Sequence, residues 1–209
     1  EEEALAPNDR VDLARAEARL RRLINERHMR NGVTIINPDA TYIDEDVEIG
    51  RDTVIWPFTF IHGKTVIGSG CKIGPFSTIV DSQIADGCRV EQSVVEQSIV
   101  GPNCRIGPMS HLRPGCELEA DVEVGNYAEM KKAKVGRGVK CHHHSYLGDA
   151  IIGERANIGA GAITANYNGF EKFQTVIGAG AFIGTNVNLI APVKVGDRAL
   201  VAAGSSVGR

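Results

Sequence analysis

Aromatic side chains, excess charge of one sign and long apolar runs are all scarce in this sequence. Aromatic residues make up 5% of its 209 residues, and the net charge is -3 at pH 7. With this charge and no dense basic stretch, we expect no nucleic-acid partner. No apolar run approaches the roughly 20 residues of a membrane-spanning helix, and the acidic start has the wrong charge for a signal peptide. We therefore expect a cytoplasmic protein without a membrane partner.

The cysteines lack the spacing of a disulfide framework or a zinc site. There are five of them, an odd number, and no two form a Cys-x-x-Cys pair. This pattern favours free thiols in a reducing compartment over disulfide bonds.

Glycine is abundant, with 24 residues, and an aliphatic residue recurs at every sixth position. The period is unbroken from Ile49 to Ile79 and returns, after short slips of register, until Val207. One short strand and one tight corner together take six residues, and three such units close a triangular coil of about 18 residues. The sequence therefore predicts an all-β domain at residues 33–209, a parallel β-helix of hexapeptide repeats with about ten coils.

A helical arm is predicted before the repeats, within residues 1–32. Asp9 can cap a helix that ends near Arg30, and Leu13, Leu20 and Leu23 or Ile24 follow helical spacing along it. We favour a connecting arm over a nucleic-acid-binding helix, because acidic residues interrupt the basic ones.

An irregular segment interrupts the repeats at about residues 165–175. Its aromatic and polar residues replace the hexads, which return at Ile177. Such an insertion must leave the prism as a loop, and repeat proteins commonly carry function on loops of this kind.

A coil of 18 residues places residues 18 apart one above the other. Arg113 and Lys131 form such a pair, and two stacked cations repel unless an anion lies between them. The pair predicts a phosphate site, with two solvated surface charges as the alternative. With a one-residue slip counted, the same argument aligns Asn126, His143 and Ala160 in a second column, which leaves room above the histidine.

The run His142-His143-His144 allows three interpretations: a base, a metal site or a polar edge. Side chains alternate along a strand, so the three cannot ligate one metal from one chain, although a trimer could assemble such a site. We favour His143 as a base, because imidazole accepts a proton near neutral pH and an amine must lose one to become a nucleophile. No metal is expected, and the spacing suggests Glu129 as the carboxylate that orients His143.

Five motifs in a fixed order are more specific than the hexads. They are LRPG at 112–115, VGNYAEMKKA at 124–133, SYLGDA at 145–150, NIGAG at 157–161 and ANYNG at 165–169. Together they resemble the acetyltransferase domain of the bacterial bifunctional N-acetylglucosamine-1-phosphate uridylyltransferase/glucosamine-1-phosphate acetyltransferase. The Gly-rich loop of the family's Mg²⁺-dependent uridylyltransferase half is absent, so uridylyl transfer is not expected of this chain.

The resemblance implies a left-handed β-helix, a homotrimer with active sites between subunits, and acetyl transfer from acetyl-CoA to the amine of glucosamine 1-phosphate. The implied product, N-acetylglucosamine 1-phosphate, would be used in the synthesis of UDP-N-acetylglucosamine and of the cell envelope. His143 matches the family's general base. The implied sugar-phosphate contacts are Arg113, Lys131, Tyr146, Asn157 and Lys172. The implied acetyl-CoA contacts are Ala160, Asn166, Tyr167, Thr185 and Ala203.

Two other functions are compatible with a prism of this kind. The first is a sugar-nucleotide acyltransferase with a longer acyl chain, which a preference for acyl-carrier protein over acyl-CoA would reveal. The second is a non-catalytic assembly module in which the prism only trimerises its partners. A bound coenzyme would argue against the second.

Overall fold

A computed structural model of the chain describes residues 7–208. Residues 1–6, the acidic start of the predicted linker, and the last residue lie outside the described residues. One long α-helix, one short 3-10 helix and 29 strands follow each other along the described chain.

The α-helix, α1, is Arg10–Arg30, and the 3-10 helix is Pro38–Ala40, between the first two strands. The first ten strands are β1 Thr34–Ile35, β2 Thr41–Ile43, β3 Glu48–Ile49, β4 Val54–Ile55, β5 Thr59–His62, β6 Val66–Ile67, β7 Lys72–Ile73, β8 Thr78–Val80, β9 Gln83–Ile84 and β10 Arg89–Val90. The next ten are β11 Val94–Glu96, β12 Ile99–Val100, β13 Arg105–Ile106, β14 His111–Leu112, β15 Glu117–Leu118, β16 Glu123–Asn126, β17 Glu129–Lys131, β18 Lys134–Val135, β19 Lys140–His143 and β20 Tyr146–Gly148. The last nine are β21 Ala150–Ile152, β22 Asn157–Ile158, β23 Ile163–Ala165, β24 Thr175–Ile177, β25 Phe182–Ile183, β26 Asn188–Ile190, β27 Val193–Val195, β28 Leu200–Val201 and β29 Ser206–Val207.

The strands form three parallel sheets, because each strand pairs with the strand three further along the chain. Sheet A holds the ten strands from β1 to β28, sheet B the ten from β2 to β29, and sheet C the nine from β3 to β27. The chain visits sheets A, B and C in turn, and each round is one coil of a three-sided prism. This architecture, with about ten coils and one helix before them, confirms the predicted parallel β-helix.

One inward side chain from each strand, aliphatic in most strands, fills the prism. Ile55, Ile61 and Ile67 of a single coil are at most 1% exposed, and the predicted inward positions of the later coils are buried in the same way. Each such side chain contributes about 1.5–3 kcal/mol relative to leaving it exposed. Stability is a sum over neighbouring coils, because a coil contacts only the coils next to it. The exceptions are Ile49, near the start of the prism, and Val201 and Val207, near its end, which are only partly buried.

The slips of register in the sequence are corners that have lost one residue. Ile79 stands opposite Val95, and Met130 opposite Leu147, so these coils are 16 and 17 residues long. Lys132, at a shortened corner, takes a positive φ of 47°, a region that residues with a Cβ seldom adopt. The shortened corners leave the strands in register, so columns of residues stay aligned across the slips.

All five cysteines are free and buried inside the prism. Burial raises the pKa of the Cys141 thiol to about 12. This thiol, which precedes the histidine run, therefore stays protonated at neutral pH and is not a nucleophile.

Helix α1 packs against the first coil of the prism. Its N-terminus is capped by Asp9, whose carboxylate accepts hydrogen bonds from the backbone N–H groups of Val11 and Asp12 at 2.8 Å. Near its other end, the buried side chain of Asn25 donates hydrogen bonds to the carbonyls of Pro38, in the 3-10 helix, and of Thr41, at the start of β2. None of the described helices combines the length and the apolar composition that crossing a membrane requires.

The apolar face of α1 is narrower than the sequence predicts. Ile24 is buried, but Leu13, Leu20 and Leu23 are 57%, 50% and 44% exposed. The helix meets the first coil only along its C-terminal part, so its buried residues are Ile24, Asn25 and His28.

Acid is expected to weaken the fold through His28. Burial, with a smaller effect of the Arg27 charge, lowers the pKa of His28 below its ordinary value of 6.5. The unfolded chain therefore takes up a proton more readily than the folded chain. The contribution of His28 to the free energy of unfolding is therefore complete above pH 6.5, and it is lost as the pH falls from there through the lowered pKa.

Urea denaturation at about pH 7.5 and about pH 5.5 measures this effect. We expect the free energy of unfolding to fall less over this interval in His28→Gln than in the original chain. Equal losses in the two proteins would show that His28 is not responsible.

Candidate active site

His143 stands at the corner between sheets A and B, at the end of β19. Strand β16 pairs with β19 so that Asn126 lies directly below His143, on the side of the earlier coils. Just past the corner, buried Ser145 donates a hydrogen bond from its Oγ to the carbonyl of His143 at 2.9 Å. The backbone at this corner is therefore held in place, while the His143 side chain is exposed.

A column of small residues continues above His143. The register of β19, β22, β25 and β28 places Ala160, Thr185 and Ala203 over it, each two residues after an inward aliphatic side chain. The backbone N–H of Asn186 donates to the carbonyl of Ala160 at 2.7 Å, which ties two of these coils together. The structure thus aligns the column that the sequence predicts and adds two further residues to it.

Bare glycine backbone lies beside this column. A Cβ atom added at Gly159 would come within 2.6 Å of the backbone of the next coil, and one at Gly184 within 2.5 Å. Neither position admits a side chain. The backbones of successive coils are therefore packed closely beside Ala160 and Thr185, and no side chain projects from these two positions over the column.

Three cationic side chains converge on sheet B. Nη1 of Arg113 donates a hydrogen bond to Oε1 of Glu129 at 2.9 Å. The ammonium of Lys172 lies beside Lys131 and lowers the pKa of Lys131, with a smaller contribution from Arg113 and an opposing one from Asp149. Two carboxylates compensate the three cations only in part, so this cluster can bind an anion such as phosphate.

Within one chain Glu129 does not orient His143, contrary to the expectation from the sequence. The Glu129 carboxylate accepts the hydrogen bond of Arg113 instead. Glu129 belongs to β17 on sheet B, and an outward side chain of that sheet points away from the sheet A face on which β19 lies.

Tyr146 and the start of the loop meet over Gly148. The Tyr146 hydroxyl and the Asn166 amide occupy the space that a side chain at position 148 would fill. Asn166 is buried, and its Nδ2 donates to Oδ2 of Asp149 at 2.5 Å. Asp149 is not among the site residues predicted from the sequence. The feature of the sequence that could have identified it is its spacing of 17 residues from Asn166, which is the length of a shortened coil.

The loop leaves the prism between β23 and β24, at the corner of sheets B and C. Tyr167 and Lys172 form an antiparallel bridge across it. Oδ1 of Asn168 accepts a hydrogen bond from the backbone N–H of Phe170 at 2.9 Å, and Phe170 at the tip is 91% exposed. The loop is a small hairpin that carries Lys172 to the cationic cluster.

The structure divides the predicted site residues between two parts of the prism. One group lies on sheet A or at its corner with sheet B: His143, Asn157, Ala160, Thr185 and Ala203. The other lies on sheet B or at its corner with sheet C: Arg113, Lys131, Tyr146, Asn166, Tyr167 and Lys172. Outward side chains on different faces of a prism diverge, so one chain does not gather both groups into a single pocket.

A shallow cavity of about 230 Å³ lies on sheet A beside His143, and Arg105, Glu123, Asn126 and His142 also line it. A larger groove of about 450 Å³ on sheet C has none of the predicted site residues on its walls. Within residues 7–208, no group of three or more His, Cys, Asp or Glu side chains is placed to hold a metal ion.

Two family models match parts of the chain. The GMPPB C-terminal domain matches residues 34–135, and the bacterial transferase hexapeptide (six repeats) matches residues 174–209. The bifunctional protein GlmU of Symbiobacterium thermophilum is 84% identical over 208 residues, which are 100% of this chain and 44% of that protein. The chain belongs to the GlmU family.

A second GlmU protein matches at lower identity. The GlmU of Listeria monocytogenes is 52% identical over 206 residues, which cover 99% of this chain and 45% of that protein. The chain therefore spans less than half the length of the GlmU proteins that it matches. This membership confirms the family resemblance predicted from the five motifs.

A solved structure outside the GlmU family shares the fold. The UDP-N-acetylglucosamine acyltransferase of Francisella novicida aligns with a TM-score of 0.51 and 15% sequence identity, over 84% of this chain and 63% of that chain. At this identity the likeness concerns the fold alone. With the hexapeptide match, it confirms the left-handed β-helix.

Proposed function

We propose that this chain transfers the acetyl group of acetyl-CoA to the 2-amino group of glucosamine 1-phosphate, as the acetyltransferase part of a GlmU protein. The observation that carries the proposal is the position of His143 at the foot of a column of small residues and bare backbone. A histidine placed beside room for an extended thioester is suited to activate an amine.

His143 acts as the general base in the proposed reaction. It takes a proton from the amine, the nitrogen forms a bond to the thioester carbonyl carbon, and the carbon–sulfur bond breaks. Coenzyme A leaves as a thiol after it receives the proton from His143. General base catalysis of this kind contributes about 10²–10⁴-fold to a rate. The proposed donors to the oxyanion are backbone N–H groups near Asn166 and Tyr167.

The proposed substrate contacts follow the two groups of residues. The cationic cluster of Arg113, Lys131 and Lys172 binds the phosphate, because charge-assisted hydrogen bonds to phosphate are strong. The other proposed sugar-phosphate contacts are Tyr146 and Asn157. The proposed contacts of acetyl-CoA are Ala160, Asn166, Tyr167, Thr185 and Ala203.

We propose a homotrimer in which each active site lies between two subunits. The separation of the predicted site residues supports this assembly, because a second prism packed against the first can bring its own sheet B and loop to the His143 corner. In this arrangement residues 1–32 are the linker and arm, and residues 33–209 are the catalytic domain. We place the enzyme in the cytoplasm, with the five free cysteines as support. A monomer with full activity would contradict the assembly.

The test of the proposed function is the release of coenzyme A thiol from acetyl-CoA. We expect release with glucosamine 1-phosphate, and no comparable release with glucosamine plus inorganic phosphate. Acetyl-CoA consumption at the same rate without the phosphosugar would disprove the assignment, as would no turnover by a chain that binds both substrates.

A further inference from the structure

Over five successive coils, from β13 to β25, one column on sheet A consists of glycines except at the level of the proposed base. The column is formed by the residue that directly follows the inward side chain of each strand. In β13, β16, β22 and β25 this residue is Gly107, Gly125, Gly159 and Gly184, respectively. In β19 the corresponding residue is His142. This ring is therefore the one side chain in an otherwise bare strip of five coils.

The His142 ring is anchored to the coil below it. Gly125 stands beneath His142 in the register, where an added Cβ would clash with the His142 backbone. Nε2 of His142 lies 2.9 Å from Oε2 of Glu123, and both side chains are partly buried. The strand neighbours of Glu123 are two cationic residues, Arg105 and Lys140. The ring is thereby held in one orientation.

The anchored ring is also the ring that His143 contacts. The two ring centroids are 6.0 Å apart and the ring planes meet at 81°, which is the edge-to-face arrangement that aromatic pairs prefer. Among the described residues, the His143 ring nitrogens form no hydrogen bond and His142 is the only ring against it. The edge of the His142 ring is therefore the aromatic contact available to orient the His143 side chain.

We propose that His142, anchored by Glu123, is a positioning residue that holds the His143 imidazole in the orientation required to accept the amine proton. The inference rests on the proposed function, in which His143 is the base. A catalytic base works best when a further group fixes its ring. Glu129, which is bonded to Arg113, does not do so. In this proposal the Glu123 carboxylate acts on His143 through the ring of His142.

Kinetics of His142→Gly provide the first test. Glycine already occupies this column in the neighbouring coils, so the variant removes the ring with little cost to the fold. We expect kcat for acetyl transfer to fall about tenfold, because small misplacements of a reacting group are costly, with the KM values for both substrates unchanged. His144→Gly is the matched control, since it removes the histidine on the other side at a residue with a positive φ of 46°, and it should leave kcat unchanged.

A double-mutant cycle separates positioning from simple destabilisation. Glu123→Gln should lower kcat by releasing the ring, and the double variant should be no slower than His142→Gly alone, because both changes act through one ring. Additive losses would overturn the proposal. An unchanged kcat in His142→Gly would also overturn it, as would a rise in KM alone, which would mean that His142 contacts a substrate.

Nuclear magnetic resonance of the His143 ring, without any substrate, tests the same coupling independently of turnover. With the resonance assigned through His143→Ala, we expect Glu123→Gln to shift the His143 signal in the original chain but not when His142 is already glycine. A His143 signal that ignores Glu123→Gln would refute the positioning role. If the original chain did not transfer acetyl groups but the signal still responded, the proposed function would fail while the coupling stood.

Discussion

Replacement of His143 by alanine lowers kcat for acetyl transfer by about a thousandfold, within the range that positioned general bases contribute. An amine is largely protonated at neutral pH, so a rate without the base depends on the small fraction of free amine and on water as the proton acceptor. The ring is exposed, and the corner is held by the backbone and by Ser145. The variant should therefore keep its fold and its KM for acetyl-CoA.

The measurement is coenzyme A thiol release at saturating substrates, with circular dichroism to check the fold. His144→Ala is the matched control: the His144 ring stacks on Tyr127, with centroids 4.9 Å apart, and takes no part in the proposed reaction. Its kcat should stay close to that of the original chain. A His143→Ala variant with undiminished kcat would remove His143 from the mechanism.

Replacement of Lys131 by alanine raises KM for glucosamine 1-phosphate by about ten- to a hundredfold. Hydrogen bonds to a charged group are worth about 1.5–3 kcal/mol, and each 1.4 kcal/mol is about a factor of ten. Arg113 is already shared with Glu129, so it cannot fully replace the lost cation. The base is untouched, and kcat should change much less than KM.

Initial rates over a range of phosphosugar concentrations measure this effect. Lys134→Ala provides the comparison, because Lys134 lies on sheet C and is paired with Glu117 at 3.3 Å; its KM should be unchanged. Added salt should raise the KM of the original chain more than that of Lys131→Ala, since exposed cations are screened. The phosphate assignment fails if Lys131→Ala leaves KM for the phosphosugar unchanged or raises KM for acetyl-CoA equally.

Much of the fold was predictable because a β-helix converts spacing in the sequence into position in space. The six-residue period identified the inward side chains, and the coil length placed Asn126 under His143 once a single slip was counted. Such an argument needs only the number of residues between two positions. It does not need to know how any side chain turns.

The partners of individual side chains were not predictable in the same way. Glu129 is close to His143 in sequence, but a corner lies between their sheets, and its carboxylate turns to Arg113. Helix α1 shows the same limit, because helical spacing identifies an apolar stripe but not how much of it the prism covers. Leu20 is therefore exposed although Ile24 is buried.

The stacking of coils also fixes the lengths available to a ligand. From His143 to Ala203 the column climbs three coils, and neighbouring strands are about 4.8 Å apart, so its height is about 14 Å. This height can change only by whole coils, since a substitution alters a side chain and leaves the rise of the backbone as it is. The prism thus offers a bound ligand only lengths that differ by whole coils. A ligand that spans the column must adjust its own length to this height by rotation about its flexible bonds.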